Sequence, residues 1–367
     1  TDPSHQFPLE RTYTEWKLSA FANGGVDMGG RFGGAGPTTV ASCQDCHMPK
    51  AAAKLCFFGD DRPDARRHEF AGAAAQVLDL IAAYTHDDPM VNQSAIAAGR
   101  QAAVSMLERA ATLEAAIDGS TLQVRVTNQT GHKLPTGHIE GRRVWLNVRF
   151  NGPGGAVIQE HGGYNEATAT LDAESTRVYE MRVGLSSPAA SATGLPAGET
   201  AHMALADTIV KDNRIPPRGF DNEAYAARGA PVVGACYADG QYWDEIPLAI
   251  PLGATKAEVT LSYQNTPREY IEHLRDANTT NHWGQTLYNL WTNTGRGAPI
   301  TMASLSADLN PVLAADVNHT GRVDVQDLFD FLWMWFVRSP GADADRSGEI
   351  GVQDLFTFLA NWFTERS

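Results

Sequence analysis

The chain of 367 residues contains no run of about 18 consecutive apolar residues, so nothing in it reads as a membrane span. It also lacks a basic surplus: 29 Lys and Arg stand against 43 Asp and Glu, a formal net charge of −14, and no basic cluster offsets it. That balance argues against nucleic acid or an anionic membrane surface as a partner. A phosphate loop, a Gly-x-Gly-x-x-Gly fingerprint and a Ser-His-Asp arrangement are absent too, which removes the residues that nucleotide handling or triad hydrolysis would need. Adjacent acids such as Asp87-Asp88 read as solvated surface. The first residue is Thr1 and no charged-then-apolar leader follows it, so the expectation is a processed chain or a piece of a longer one. Cysteine is scarce as well, with four in the whole chain.

Two of those four define the densest chemistry. Cys43-Gln44-Asp45-Cys46-His47 is the c-type haem attachment pattern. Each thiol can form a thioether to one haem vinyl group, and the turn between them carries the His47 imidazole to the iron as proximal ligand. A zinc site would need a second ligand pair, and Cys56 and Cys236 are far apart and lack that spacing. Met48 follows His47 too closely to reach the other face of the ring, so the distal ligand must come from elsewhere. Haem c is assembled outside the cytoplasm, which predicts an extracellular or periplasmic protein. In such an oxidising compartment Cys56 and Cys236 form either a disulfide or two separate thiols.

The composition, 43% hydrophobic and 20% charged, is that of a globular protein. The hydrophobic patterning predicts an α+β multidomain chain: a helical haem segment over 1–118, an antiparallel β-sandwich over 119–308 and a small helical calcium module over 312–367. In the first part the spacing predicts a short helix over 12–22 and a glycine-rich loop over 23–37. It then predicts a helix ending near Tyr84 and a longer one from about Val91 to Ile117, with Val104, Leu107, Ala111 and Ala115 on one face. From Thr121 the period becomes two: Leu122, Val124 and Val126, then Val144, Leu146 and Val148, with a turn at 151–155. Further strands are expected at 177–183, 200–205 and 257–263.

The tail repeats itself 27 residues apart, Val-Asp-Val-Gln-Asp-Leu-Phe at 323–329 against Ile-Gly-Val-Gln-Asp-Leu-Phe at 350–356. An acidic loop precedes each copy. Asp316, Asn318, Thr320, Arg322, Asp324 and Asp327 occupy ligand positions of a calcium loop, as do Asp343, Asp345, Ser347, Glu349 and Asp354, with Gly321 and Gly348 at the sharp turn. Arg322 and Glu349 would offer backbone carbonyls. Thr320 and Ser347 in place of carboxylates, and Asp327 and Asp354 in place of the longer Glu, imply modest affinity for calcium. In the helices that follow, Leu328, Phe329, Leu332, Trp335 and Phe336 match Leu355, Phe356, Leu359, Trp362 and Phe363, and these stripes are expected to form the module's own core. Phe331, Trp333 and Met334 leave surplus apolar surface for a partner or for docking on the β-domain.

Trp16 in TYTEWKLSAFA, CQDCHMP and the later RRHEF resemble the haem-binding regions of multihaem c-type cytochromes. Asn128-Gln129-Thr130-Gly131-His132-Lys133-Leu134-Pro135-Thr136-Gly137, running into Arg143-Val144-Trp145-Leu146, resembles the β-domain beside such haems. The likeness covers most of residues 1–300. It implies a histidine in an H-x-F-x-G setting as distal ligand, which His68-Glu69-Phe70-Ala71-Gly72 matches; His132 is the alternative, for this haem or for one from an upstream segment or another chain. His86 and His138 rank behind them, and His319 in the first calcium loop points outward. The departure from the family is a single CxxCH, so either upstream haem motifs are missing or one haem is kept. The tail resembles dockerin-type calcium modules, which bind cohesin partners in cellulosomal systems.

A bis-histidine iron has no free coordination position and carries electrons without activating a substrate. No distal acid-base constellation argues for peroxidase-like chemistry, so the reading is an electron carrier and not an enzyme. Its cofactors would be haem c and calcium, and its partners other c-type cytochromes or copies of itself in an oligomer, filament or complex. The alternative is a structural or adhesive protein of the cell exterior with a vestigial haem.

Overall fold

In the computed structural model, residues 7, 10–33, 38–309 and 313–366 are described. The chain is mixed α and β, and every strand pairing among the described residues is antiparallel.

Two sheets dominate. One runs Val178–Tyr179, Arg143–Asn151, Lys256–Gln264 and Ile300–Asp308, with Val157–His161 also paired to Arg143–Asn151. The other runs Trp243–Ala249, Thr121–Asn128 and Ala111–Asp118. The period-two residues meet in one core: Leu122, Val124 and Val126 from the second sheet pack with Val144, Leu146, Val148, Val259 and Leu261 from the first. Register supports this, with Val148 opposite Val259 and Leu146 opposite Leu261. Ala103, Leu107 and Ala110 of the helix Gln93–Ala110 close over the same core. Burial at about 25 cal/mol per Å² of apolar surface makes this cluster the principal source of stability.

The helix expected to reach Ile117 ends at Ala110, and Ala111–Asp118 is a strand. The residues Asp118-Gly119 that read as a helix stop are instead a hairpin corner, with Asp118 paired to Thr121 and Gly119 at φ +57°. Leu113 and Ala115 satisfy a helical spacing and an alternating one equally well, and pairing with Thr121–Asn128 decides between them. Part of the glycine-rich stretch is likewise paired, Val26–Asp27 with Thr39–Val40, while 34–37 lie outside the described residues. A second hairpin, Lys50–Lys54 with Asp61–Arg66, stands in the region expected to be helical, where Pro63 and four charged neighbours hide any alternation. The first helix is shorter than expected, Thr12–Leu18. Helices Ser187–Thr193, Asn222–Ala227, Arg268–Ala277 and Trp283–Asn293 interrupt the region read as all strand. Residues 200–205 are not a strand: Met203–Leu205 makes a single tight turn.

The C-terminal helices Val325–Phe336 and Val352–Glu365 follow their acidic loops as the repeat predicts. Their core differs from the expected stripes. Phe331, assigned above to surplus surface, stacks on Phe358 with ring centres 4.0 Å apart, joined by Val323 and Trp362. Phe329, Phe336, Phe356 and Phe363 are exposed, Phe336 by 74% and Phe363 by 71%. On a 3.6-residue period 328, 331 and 335 share a face and 329, 333 and 336 lie opposite, so a broad stripe contains both an inner and an outer face. Two tryptophans cross-link the copies: Trp335 Nε1 donates to the Gly351 carbonyl at 2.7 Å and Trp362 Nε1 to the Asp324 carbonyl at 2.8 Å.

Candidate functional site

Cys43–His47 forms one short helix, so Cys43, Cys46 and His47 sit at i, i+3 and i+4 on a single face. Its start is fixed by Asp45, whose carboxylate accepts from the Ser42 amide and hydroxyl at 2.9 and 2.8 Å, from the Ala41 amide at 3.1 Å, and from Arg66 at 2.6 Å. Burial alone would raise Asp45, but Arg66 and these donors hold it at about 2. Burial, with Asp45 and Cys43 adding, pushes the Cys46 thiol up to about 12. Trp16 Nε1 donates to the Ala41 carbonyl at 3.2 Å and so ties the helix Thr12–Leu18 to this turn.

These thiols open onto a cavity of about 530 Å³. Trp16, Phe21, Phe32 and Val40 form one wall, Met106, Leu107 and Ala110 another, and the Thr130–Gly137 turn a third. The turn is held from behind by buried polar groups. Asn128 donates to the His132, Ile215 and Pro216 carbonyls; the Lys133 amide donates to Glu15 at 3.1 Å and Lys133 Nζ to Asp212 at 2.8 Å. Gly131 packs closely on the helical segment, since a Cβ there would lie 3.3 Å from both Phe21 and Trp16 and would press one of them back by a few tenths of an ångström.

His47 and His132 face the same cavity, with ring centres 6.5 Å apart and planes 19° from parallel. His47 Nδ1 donates to the Ala71 carbonyl and His132 Nδ1 to the Lys133 carbonyl at 3.1 Å. A carbonyl can only accept, so each Nδ1 carries a proton, which leaves Nε2 as the ring atom free to bind a metal. Burial lowers the His132 imidazole to about 4, although the Lys133 carbonyl and Glu15 favour the cation, so the ring is neutral at neutral pH. A metal held at about 2 Å by each of two imidazoles separates the ring centres by roughly 6 Å. The arrangement can therefore hold one metal in a flat apolar ligand, with two thiols beside it for covalent attachment.

His68 does not reach this cavity. It is exposed and lies against Phe70, ring centres 5.6 Å apart, and its segment contributes a backbone group in place of an imidazole, the Ala71 carbonyl that holds His47. His86 pairs with Asp87 at the surface, His138 contacts the Tyr270 hydroxyl at 3.2 Å, and His319 is exposed. Cys56 and Cys236 are both exposed free thiols, the second of the two alternatives left open by the sequence. Met106, Tyr263 and Arg142 line the cavity without having been singled out in the sequence; Met106 lies about 100° round the helix from Leu107, off the apolar spacing that marked Val104 and Leu107.

In the tail, one carboxylate oxygen each from Asp343, Asp345 and Asp354 lie within 4.8 Å of one another. The Ser347 and Gly348 amides donate to Asp343, as the Thr320 and Gly321 amides do to Asp316. Ser347 Oγ donates to the Glu349 carbonyl and Thr320 Oγ1 to the Arg322 carbonyl, which brings those oxygens together. Asp327 and Asp354 accept from the Asn318 and Asp345 amides, and Asp324 caps the helix Val325–Phe336 through the Gln326 amide. Asn318 Nδ2 also donates to Asp330, a residue outside the loop pattern.

No protein-family model matches the chain, and no curated protein matches it. Among solved structures it is similar to a penta-haem cytochrome c552 from Thermochromatium tepidum, at 16% identity and a TM-score of 0.43, over 84% of this chain. The chain spans about half the length of that protein, 52%.

Proposed function

We propose that the chain is an extracytoplasmic c-type cytochrome, a helical haem segment and a β-sandwich followed by a dockerin-like calcium module, and that it transfers electrons through one covalently bound haem. The observation that carries this reading is the pair of imidazoles, His47 and His132, lining one apolar cavity with ring centres 6.5 Å apart, a cavity that also receives Cys43 and Cys46. The thiols would attach the porphyrin, His47 would be the proximal ligand and His132, in preference to His68, the distal one. A haem held by Cys43, Cys46, His47 and His132 would supply a one-electron couple. The protein's own part is to hold each Nδ1–H on a backbone carbonyl, which fixes ring orientation and keeps Nε2 basic, and to exclude water with Trp16, Phe21, Phe32 and Leu107.

A single haem must meet others across an interface, so the electron partners are other c-type cytochromes or copies of this chain. The calcium module binds a cohesin-like partner or assembles the particle. Exposed Phe329, Trp333, Phe336, Phe356 and Phe363 favour such an assembly role for the tail, and they also favour the second reading, a structural protein of the cell exterior whose haem is vestigial.

The test is expression alongside a haem c maturation system. The expected result is an intact mass raised by one haem, a Soret band, a low-spin ferric spectrum and a reversible couple. A bare polypeptide mass with no Soret absorption overturns the haem reading, and a bound haem without a reversible couple leaves the structural one.

A further inference from the structure

The wall of the haem cavity contains a buried polar atom that nothing so far uses. Tyr263, on the strand Lys256–Gln264, is 1% exposed and lines the cavity, yet its hydroxyl has no hydrogen-bond partner among the described residues. A buried donor left unpaired is costly and calls for a partner. Burial pushes this phenol up to about 12, opposed by the nearby Arg142 guanidinium, so it is a protonated donor at neutral pH. Arg142 lines the same cavity and is steadied by donating to the Thr136 carbonyl. The other polar groups on this wall are engaged or at the rim. Thr136 Oγ1 donates to Glu15 and meets Thr12 Oγ1, Thr130 Oγ1 donates to Asn128, and Glu10 is exposed.

An O–H donor and a nearby cation, in the lining of a largely apolar slot, suit a carboxylate. A porphyrin attached through its vinyl groups carries two carboxylates on the pyrroles that bear no vinyl. We infer that Tyr263 and Arg142 form the seat for a haem propionate, the Tyr263 hydroxyl donating to one of its oxygens and the Arg142 guanidinium balancing its charge. This rests on the haem reading above. Both residues are positioning residues: they set the charge felt at the iron and do not touch it.

The experiment uses the haem-loaded full chain with Tyr263→Phe, Arg142→Gln and Arg142→Lys. The control is Tyr237→Phe, whose hydroxyl donates to the Asn213 carbonyl and which does not line the cavity. Midpoint potential and the propionate deformation band in resonance Raman are read together. Expected are a lower potential and a shifted propionate band in Tyr263→Phe and Arg142→Gln, a smaller change in Arg142→Lys, an unchanged Soret position throughout, and no change in the control. Tyr263→Phe removes a single oxygen, so it decides the matter even if Arg142→Gln does not fold. An unchanged potential and band in Tyr263→Phe overturns this inference and leaves the haem reading standing; a wild-type chain that takes up no haem overturns both.

Discussion

Glu15 and Arg214 are 199 residues apart in sequence, yet Arg214 Nη2 meets Glu15 Oε1 at 2.9 Å with the two side chains 3% and 0% exposed. Asp212 and Lys133 complete the buried group: Arg214 Nε donates to Asp212 at 2.8 Å, and Lys133 Nζ donates to the other Asp212 oxygen at 2.8 Å. Two cations and two anions thus neutralise each other behind the turn that presents His132. Breaking such a group strands an unpaired charge in the interior, so Arg214→Met should cost about 3–5 kcal/mol in denaturant unfolding. A loss under about 1 kcal/mol would contradict it. Burial alone would raise Asp212, but Arg214 and Lys133 hold its carboxyl below the usual carboxylate range. Its stabilisation is therefore complete above the unfolded aspartate value of about 3.9 and is lost as pH falls below it. The same variant should flatten the acid limb of a stability profile.

That buried group also explains what the sequence could and could not disclose. Cys43, Cys46 and His47 were legible because their chemistry lies in a five-residue spacing that a single helical turn converts into one face. The placement of His132 opposite His47 depends on Glu15, Asp212 and Arg214 arriving from remote segments, and no local pattern encodes that. In the family that the chain resembles, the H-x-F-x-G setting points to His68, whereas the fold employs the Ala71 carbonyl of that segment, and a backbone atom leaves no mark on residue identity. Alternation exposed the central strands at Leu122, Val144 and Val259, where one face meets a core. The strand Ala111–Asp118 was hidden because its small residues fit two periods at once, and the outward Phe336 and Phe363 because burial cannot be read from apolarity alone.

The choice between histidines yields a direct prediction. In the haem-loaded chain His132→Ala should convert a low-spin ferric spectrum to high spin, with rapid binding of cyanide or imidazole, because the imidazole paired with His47 across the cavity is gone. His68→Ala should leave the spectrum unchanged, since that ring is at the surface beside Phe70. The reverse pattern in optical and EPR spectra would reassign the distal ligand.

The thiols of Cys43 and Cys46 should differ in reactivity in a chain that carries no haem. Cys46 is pushed up to about 12 by burial, with Asp45 and Cys43 adding, whereas Cys43 is exposed. A rise from 9.0 to about 12 lowers the thiolate fraction about a thousandfold. In a chain made without haem, iodoacetamide followed by peptide mass mapping should label Cys43, Cys56 and Cys236 well ahead of Cys46. Equal rates at Cys43 and Cys46 would contradict the difference between the exposed and the half-buried thiol.

Calcium should couple the two acidic loops to the packing of the tail. The loops end on the carbonyls that Trp335 and Trp362 grip across the repeat, Gly351 and Asp324, so ordering one loop steadies the helix that follows the other. In the second loop Asp354 is held below the usual carboxylate range by the Gly351 amide first, against the effect of burial, and so stays ionised beside Asp343 and Asp345. Three carboxylates that close repel one another until a cation joins them. A ligand that binds only the folded state stabilises it by about 2.7 kcal/mol at a concentration 100 times its Kd. Tryptophan fluorescence followed through thermal unfolding should therefore show the tail transition rising with calcium and falling again with chelator, while the transition of the β-domain stays put. Asp343→Ala should remove one of two binding events in a calcorimetric calcium titration, and Asp316→Ala the other, each with a lower tail transition. A tail that melts at the same temperature with calcium and with chelator would show that the loops are acidic turns without a cation site.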